Sequence, residues 1–404
     1  MATPAQLRGI NRRRILAALL RRGEASRAEL AQITGLSRPT AGHIADDLLE
    51  AGLLEEAGAP DPAAGAAPPR PGRPGQLLRL DRSRPRIAAV EIGVRRTRLA
   101  LLPVGLPPGP DRWPLEWPTG ETPEAWARGL AAAARRLSPH RVEAVLLSVP
   151  GVVDETAGRV LYSPNLHWTE GTHLLSLVGR VWDAPARLLQ EIRALALGQM
   201  AVEPDGGDFL LVDFEDGVGG AAVVGGALFT GPLPLSGELG HMPVPGNRRP
   251  CGCGGTGCLE TLASRPGLLR SFAARRKGKD HDWPALVRDT ATRGIRPWLA
   301  ATLEAVASAV AGALNILGLR RVVLTGCLTE LPETALEHLR RAVIGGTMWA
   351  RFGDVSCQAA PRRRMAGLVW AALDRLLVPA PPETSPEDLS SLRKIPSPVL
   401  EARP

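Results

Sequence analysis

The chain has 404 residues, 44% of them hydrophobic and 22% charged, with a formal net charge of +8. That length holds two or three domains with a substantial core, and the composition is that of a soluble protein. No stretch reads as a membrane span and Met1–Ile10 is not a signal peptide, so the expected location is cytoplasmic, with no membrane partner.

The front of the chain is basic: residues 1–22 carry six Arg and no acid, a distribution suited to an anionic partner. Over 11–22, Ile15, Leu16, Leu19 and Leu20 share one helical face, with Asn11 placed to start the helix and Gly23 to stop it. Ser26 and Glu29 form a capping box for a second helix ending near Thr34. After the Gly35-Leu36 turn, Ser37 caps a third helix with Pro39 in its first turn, Ile44, Leu48 and Leu49 inward, and Gly52 at its end. Helix, short glycine turn, then a helix with a polar start is the helix-turn-helix pattern. Its second helix presents Ser37, Arg38, Thr40 and His43 to base edges, Arg38 being suited to a guanine or a phosphate. Apolar strands at Leu53–Glu56 and within Gly72–Leu80 flank a Pro/Ala/Gly loop and predict a wing. Arg73, in the Arg70-Pro-Gly-Arg73-Pro-Gly frame, suits a narrow minor groove; a solvated wing tip is the plainer reading. A three-helix partner-docking bundle is the alternative for the module as a whole.

From Arg86 the pattern changes. Ile87–Ile92 and Thr97–Leu102 read as a strand pair, and helical stretches at 123–137, 172–183 and 297–317 alternate with strands at 142–149, 209–213, 221–229 and 321–325. Such alternation with antiparallel hairpins argues an α/β fold. The tail from Val378 is rich in Pro, Ser and Glu and reads as disordered over 379–404.

Three of the five cysteines, Cys251, Cys253 and Cys258, fall within eight residues, with His241 ten positions upstream. Thiolate and imidazole are the donors that a tetrahedral structural zinc prefers, and the intervening glycines let the backbone aim the sulfurs at one point. Cys327 and Cys357 stand alone and read as small apolar residues.

The run Gly237-Glu-Leu-Gly-His-Met-Pro-Val244, followed by Cys251-Gly-Cys-Gly-Gly-Thr-Gly-Cys-Leu-Glu260, resembles the signature of the ROK family of sugar kinases, transcriptional repressors and related open reading frames. The resemblance implies a winged helix-turn-helix over 1–82, then a two-lobed actin/hexokinase-like domain over 86–378. Its small lobe would span about 86–197 plus 362–378, and its large lobe about 198–361. It implies that sugar is held by Asn165 of Asn165-Leu-His-Trp168, by Glu238 and His241, and by Glu260. These are sensible sugar ligands: carboxylates accept pairs of hydroxyl hydrogens, an amide donates and accepts, and Trp168 can offer an apolar face. His241 would use one nitrogen for zinc and the other toward the sugar or a group that orients it.

The kinase chemistry of the family is altered. Its Glu-Asn-Asp-Ala-Asn stretch around the catalytic base reads Leu189-Gln190-Glu191-Ile192-Arg193 here, so a degenerate base position, Glu191, replaces the shorter Asp. Its Asp-x-Gly-x-Thr loop reads Glu91-Ile-Gly-Val-Arg95, its Gly-Thr-Gly-x-Gly loop reads Glu215-Asp-Gly-Val-Gly219, and its Gly-Gly near the adenosine site reads Gly326-Cys327. Two carboxylates then sit where ATP phosphates approach, with no Lys or Arg beside them in sequence. The leading expectation is a non-enzymatic, sugar-responsive regulator, usually a repressor, that binds double-stranded operator DNA as a homodimer or tetramer. The alternatives are an ATP-dependent hexose or N-acetylhexosamine kinase, and a DNA-binding regulator whose cleft, altered by Arg193, takes a non-sugar ligand.

Overall fold

The computed structural model describes residues 4–57, 76–105, 111–137, 141–203, 206–230, 237–275 and 281–377. Three helices open it: α1 (Pro4–Arg22), α2 (Arg27–Thr34) and α3 (Arg38–Glu50). The capping box forms, with the Ser26 N–H donating to the Glu29 carboxylate at 2.9 Å and the Ser26 hydroxyl accepting from the Glu29 N–H. Helix α1 starts at Pro4 rather than Asn11: residues 4–10 carry too few apolar side chains to show a stripe, and proline is tolerated in a first turn. Strands β1 (Glu24–Ser26), β2 (Leu54–Glu56) and β3 (Leu77–Leu80) form an antiparallel sheet in the order β1-β3-β2, completing a winged helix. Three-residue β1, lodged between two helices, is too short to show alternation. Arg73 and residues 379–404, expected in a wing and a disordered tail, lie outside the described residues.

The next region holds β4 (Ile87–Ile92), β5 (Arg96–Leu102), β6 (Leu115–Pro118), α4 (Pro123–Arg136), β7 (Ala144–Val149), the ribbon β8 (Val152–Asp154) and β9 (Arg159–Tyr162), α5 (Leu174–Gly179), β10 (Ala186–Gln190) and α6 (Glu191–Val202). After it come β11 (Phe209–Phe214), β12 (Val218–Val224), β13 (Ala227–Leu228), α7 (Glu260–Ala263), α8 (Arg265–Ala273), α9 (Trp283–Arg293), α10 (Pro297–Leu317), β14 (Arg321–Gly326), α11 (Glu333–Gly346), β15 (Ser356–Ala359) and α12 (Arg364–Ala372).

The two large sheets repeat one topology. Their orders are β10-β7-β4-β5-β6 and β15-β14-β11-β12-β13. In each, the first three strands form an antiparallel meander, and two further strands add in parallel beside the first. Each fifth strand leads into a helix, α6 and α12 respectively, and those two helices pack together. Glycines make the approach close: a Cβ on Gly198 would fall 1.8 Å from the Arg363 carbonyl oxygen, and one on Gly367 would fall 1.7 Å from that of Ala194. Both helices are apolar on most sides because both are buried on most sides, which is why neither shows an amphipathic stripe in sequence.

Elsewhere the pattern reading needs trimming. The stretch 172–183 is helical only over Leu174–Gly179, and the strand expected over 221–229 is β12 and β13 around a Gly225-Gly226 turn with φ of 62° and 73°. Helix α10, with its 21 residues, is long and apolar enough by composition to cross a membrane, contrary to the sequence expectation. It packs into the core of the second sheet, which covers half of its apolar window.

One core is shared between the winged helix and the first sheet. Ile15, Leu19, Leu48 and Leu78 are continuous with Ile87, Ala144, Leu197 and Leu368. Arg86, 5% exposed, crosses the same boundary, donating to Glu143 at 2.8 and 2.9 Å and to the Gly52 carbonyl at 2.7 Å. The module is therefore seated on the larger body by buried apolar area and a charged clamp, not merely tethered to it.

Candidate functional site

A cleft of about 370 Å³ is lined from both sheets, by β4 and the β9 end on one side and by the β11–β12 loop and the cysteine loop on the other. Its walls include Asn165, Gln190, Glu191, Asp213, Glu238, His241, Glu260, Arg265 and Arg362.

The cysteine loop is built locally. Gly257, at φ of 87°, has no room for a side chain, since a Cβ would sit 2.7 Å from the Asn247 carbonyl oxygen. Asn247 in turn donates to the Cys258 carbonyl at 3.1 Å and to Thr261 Oγ1 at 2.9 Å. The loop so folded brings one donor atom each from His241, Cys251, Cys253 and Cys258 within 4.8 Å of one another. The His241 Nδ1 is 3.6 Å from Cys251 Sγ, and Cys253 Sγ is 3.7 Å from Cys258 Sγ. One imidazole and three thiols at this separation fit a tetrahedral zinc in donor type and number.

The other face of His241 looks into the cleft, with Nε2 3.7 Å from the Glu238 carboxylate. Glu238 follows Gly237, whose backbone crosses β12 so closely that a Cβ would fall 1.9 Å from the Gly220 carbonyl oxygen. Burial pushes the Glu238 carboxyl up, His241 and Gln190 pulling against it, and Gln190 Nε2 lies 3.4 Å from its oxygen. Glu260 accepts from the Cys251 thiol at 3.0 Å and from the Val218 N–H at 3.4 Å, so it joins the cysteine loop to the β12 start. Asn165 is exposed on the cleft wall. Asn165, Glu238, His241 and Glu260 thus share one cavity. Trp168 does not line it: its ring packs at a tilt of 38° against Trp126, centroids 6.1 Å apart, in the core beside the first sheet. The chain's single tyrosine, Tyr162, is a wall residue that the sequence pattern did not single out, and its hydroxyl donates to the Gly252 carbonyl of the cysteine loop at 2.8 Å.

The cleft floor corrects the sequence reading. Two of the carboxylates at the phosphate-loop positions, Glu91 and Glu215, do have arginine partners, those of Glu215 and of the floor coming from far along the chain. Arg265 pairs with Glu215 at 2.6 Å and with Glu330 at 2.7 Å. Arg362 donates to Glu191 at 2.7 Å and to Asp213 at 3.0 Å, spanning the two sheets. Arg364, buried beneath, reaches both Glu91 and Glu191, and Arg98 adds a contact to Glu91 at 3.3 Å. Burial pushes the Glu191 carboxyl up to about 7, with Arg362 opposing. Arg193 is not among the residues that line the cleft and pairs instead with Glu155 at 3.0 Å. The Pro-Arg-Arg-Arg run at 361–364 is the sequence signal for this floor, but a charge run names no partner.

At the other end, Ser37, Arg38 and His43 are exposed along the start of α3 and Thr40 is half-buried. The Ser37 hydroxyl is committed to its cap, accepting from the Thr40 N–H at 3.3 Å and bonding Thr40 Oγ1 at 2.8 Å. Two arginines of α1 face inward: Arg12 pairs with Asp47 at 3.6 Å and Arg13 with Asp374 at 3.7 Å.

Residues 87–366 match the model of the ROK family, and residues 9–63 match that of the MarR family. The xylose repressor of Caldicellulosiruptor bescii is 25% identical over 381 residues, covering 89% of this chain and 93% of that protein. The N-acetylmannosamine kinase of Escherichia coli O157:H7 is 32% identical over 171 residues, covering 42% of this chain and 58% of the kinase. Among solved structures, a ROK family transcriptional regulator described as a homolog of the E. coli MLC protein superposes with a TM-score of 0.69 at 20% identity. The match covers 92% of this chain and 98% of that one.

Proposed function

Because this chain belongs to the ROK family and carries a MarR-type winged helix ahead of that domain, we propose that it is a transcriptional repressor whose cleft senses a sugar. The observation that carries the reading is the likeness to a xylose repressor over 89% of this chain, whereas the match to the N-acetylmannosamine kinase covers 42% of it. In this reading, residues 1–82 bind operator DNA through Arg38, Thr40 and His43, with Ser37 shaping the helix start and Arg73 in the wing. Residues 86–378 bind the sugar through Asn165, Glu238, His241 and Glu260. A second copy supplies the second recognition helix that a two-half-site operator needs. Zinc held by His241, Cys251, Cys253 and Cys258 fixes the loop that carries Glu238 and Glu260. Operator binding places the protein in the cytoplasm.

The reading includes loss of phosphoryl transfer. One Glu191 oxygen is shared by two guanidiniums, and Glu215, Asp216 and Asp213 line the side from which ATP phosphates would approach. One observation favours a retained kinase: a carboxyl raised to about 7 is well poised as a general base. The deciding experiment pairs calorimetry against D-xylose, D-glucose and N-acetyl-D-mannosamine with coupled ADP release in the presence of Mg-ATP. Saturable sugar binding without turnover, together with sugar-dependent release of a selected duplex, is the expected result. Turnover with any of the three sugars overturns the non-enzymatic reading, and failure to bind any duplex overturns the repressor.

A further inference from the structure

The cleft and the winged helix are joined by a continuous block. Helix α6 begins in the cleft, where Gln190, Glu191 and Ile192 are wall residues, and α12 begins on the cleft floor at Arg364. The two pack together at Gly198 and Gly367, where neither position has room for a Cβ against the other helix's backbone. Helix α6 and the turn Leu373–Leu377 that follows α12 both pack against α1 of the winged-helix module.

A polar chain runs beside this apolar one. Glu155, just past β8, accepts the Gln190 N–H at 3.1 Å through one carboxylate oxygen, and Arg193 lies 3.0 Å from the same oxygen. Its other oxygen accepts from Arg375 at 2.7 Å. The neighbouring residue, Asp374, receives Arg13 of α1 on both its carboxylate and its carbonyl. Gln190 meanwhile meets Glu238 inside the cleft. Every step from a proposed sugar ligand to the first helix of the winged module is a direct contact.

We infer that helices α6 and α12, tied through Glu155 and Arg375 to Arg13, are the coupling element by which cleft occupancy alters operator affinity. The inference rests on the sugar-responsive repressor reading. A sugar that takes over the Glu238 carboxylate withdraws it from Gln190, at the N-terminus of α6. The segment just before α12 is pinned at the same place, because Arg362 pairs with Glu191 at the start of α6 and with Asp213 of β11. Any closure of the lobes on a ligand must re-seat that arginine and, with it, the block. Arg375 touches neither the cleft nor the exposed face of α3, and acts as a positioning residue.

The test uses the full chain with the duplex it selects from a random-sequence pool, and D-xylose and N-acetyl-D-mannosamine as probes. Sugar affinity is read by calorimetry and duplex affinity by anisotropy, with and without sugar. For the wild type, saturating sugar weakens duplex binding about tenfold or more. Arg375→Gln keeps the sugar affinity and the sugar-free duplex affinity of the wild type, yet the sugar now shifts duplex binding by less than about threefold. Arg375→Lys, which keeps the charge, recovers the response. If Arg375→Gln does not fold, Glu155→Gln removes the same ion pair from its other side and is judged by the same ratio. A full tenfold response in the variant overturns the coupling block and leaves the sugar-sensing repressor standing. A wild type that binds neither sugar, or binds one without any change at the duplex, overturns the reading beneath it and the block with it.

Discussion

The two ends of the cleft are held in opposite ways. At one end, residues 241–258 converge three thiols and an imidazole from a single loop. At the other, Glu91, Glu191, Asp213 and Glu215 are each matched by an arginine of the same chain, from positions 98, 265, 362 and 364. The first end is a set of donors that a soft divalent cation completes. The second carries its own counter-charges and closes on itself. A site that receives nucleotide phosphates uses carboxylates to hold their metal, whereas these carboxylates are paired with arginines of the same chain. The arginine floor therefore speaks for a cleft organised around lobe position.

Breaking the floor has the largest expected effect. Arg364→Met keeps most of the volume but leaves Glu91 and Glu191 without the guanidinium between them, at a site where the arginine side chain is only 3% exposed. Urea unfolding should show a loss of about 3–5 kcal/mol. A loss under about 1 kcal/mol would mean that the floor is not stabilised by its own pairing. Breaking the loop comes next. Chelating zinc from the wild type, or Cys253→Ser, should cost about 3–4 kcal/mol if the metal was held at 100 to 1,000 times its Kd. The change should concentrate in faster hydrogen exchange over 241–260, with the floor unaffected. A wild type that purifies without metal and is indifferent to chelators would erase the contrast between the two ends.

The same contrast explains what the sequence made legible. The loop was readable because its ligands are neighbours in the chain and the glycines that turn it lie between them. The winged helix was readable for a similar reason: Ser26, Glu29, Gly35 and Ser37 act within three or four residues of themselves. The floor was not, because Arg265 lies 50 residues beyond Glu215, and Arg362 lies 171 beyond Glu191. A pairing at that separation is fixed by sheet topology, and the repeat of that topology is itself invisible without the strand order. Arg193 misled for the same reason. Its position beside Glu191 placed it in the cleft on paper, whereas one further step around α6 turns it to Glu155. Helices α6 and α12 gave no periodic signal because burial on most sides erases the polar face that makes a stripe.

Glu238→Ala sharpens the boundary between the two ends, since Glu238 touches Gln190 on the floor side and His241 on the loop side. If Glu238 accepts sugar hydroxyls as proposed, its loss should cost about 1–3 kcal/mol of sugar affinity, measured by calorimetry, with any zinc content unchanged. Loss of zinc along with the sugar would show that loop and ligand wall are one unit.

The smallest expected effect is the most discriminating. Arg265 pairs with Glu215 and Glu330 at the cleft rim, where all three side chains keep contact with solvent, at 23%, 26% and 50% exposure. Its guanidinium also lies 4.5 Å from the centre of the Trp283 ring, so Arg265→Met keeps some of the packing while removing the charge. Screened pairs of this kind contribute little, and the substitution should lower stability by no more than about 1 kcal/mol. Its effect on ATP is the informative part. With Arg265 gone, Glu215 joins Asp216 as an uncompensated charge where phosphates would approach. If the wild-type cleft binds Mg-ATP weakly, the variant should bind it more weakly still. If instead Arg265→Met binds Mg-ATP better than the wild type, the arginine was occupying the phosphate position, and the two ends of the cleft would both be ligand sites awaiting a partner.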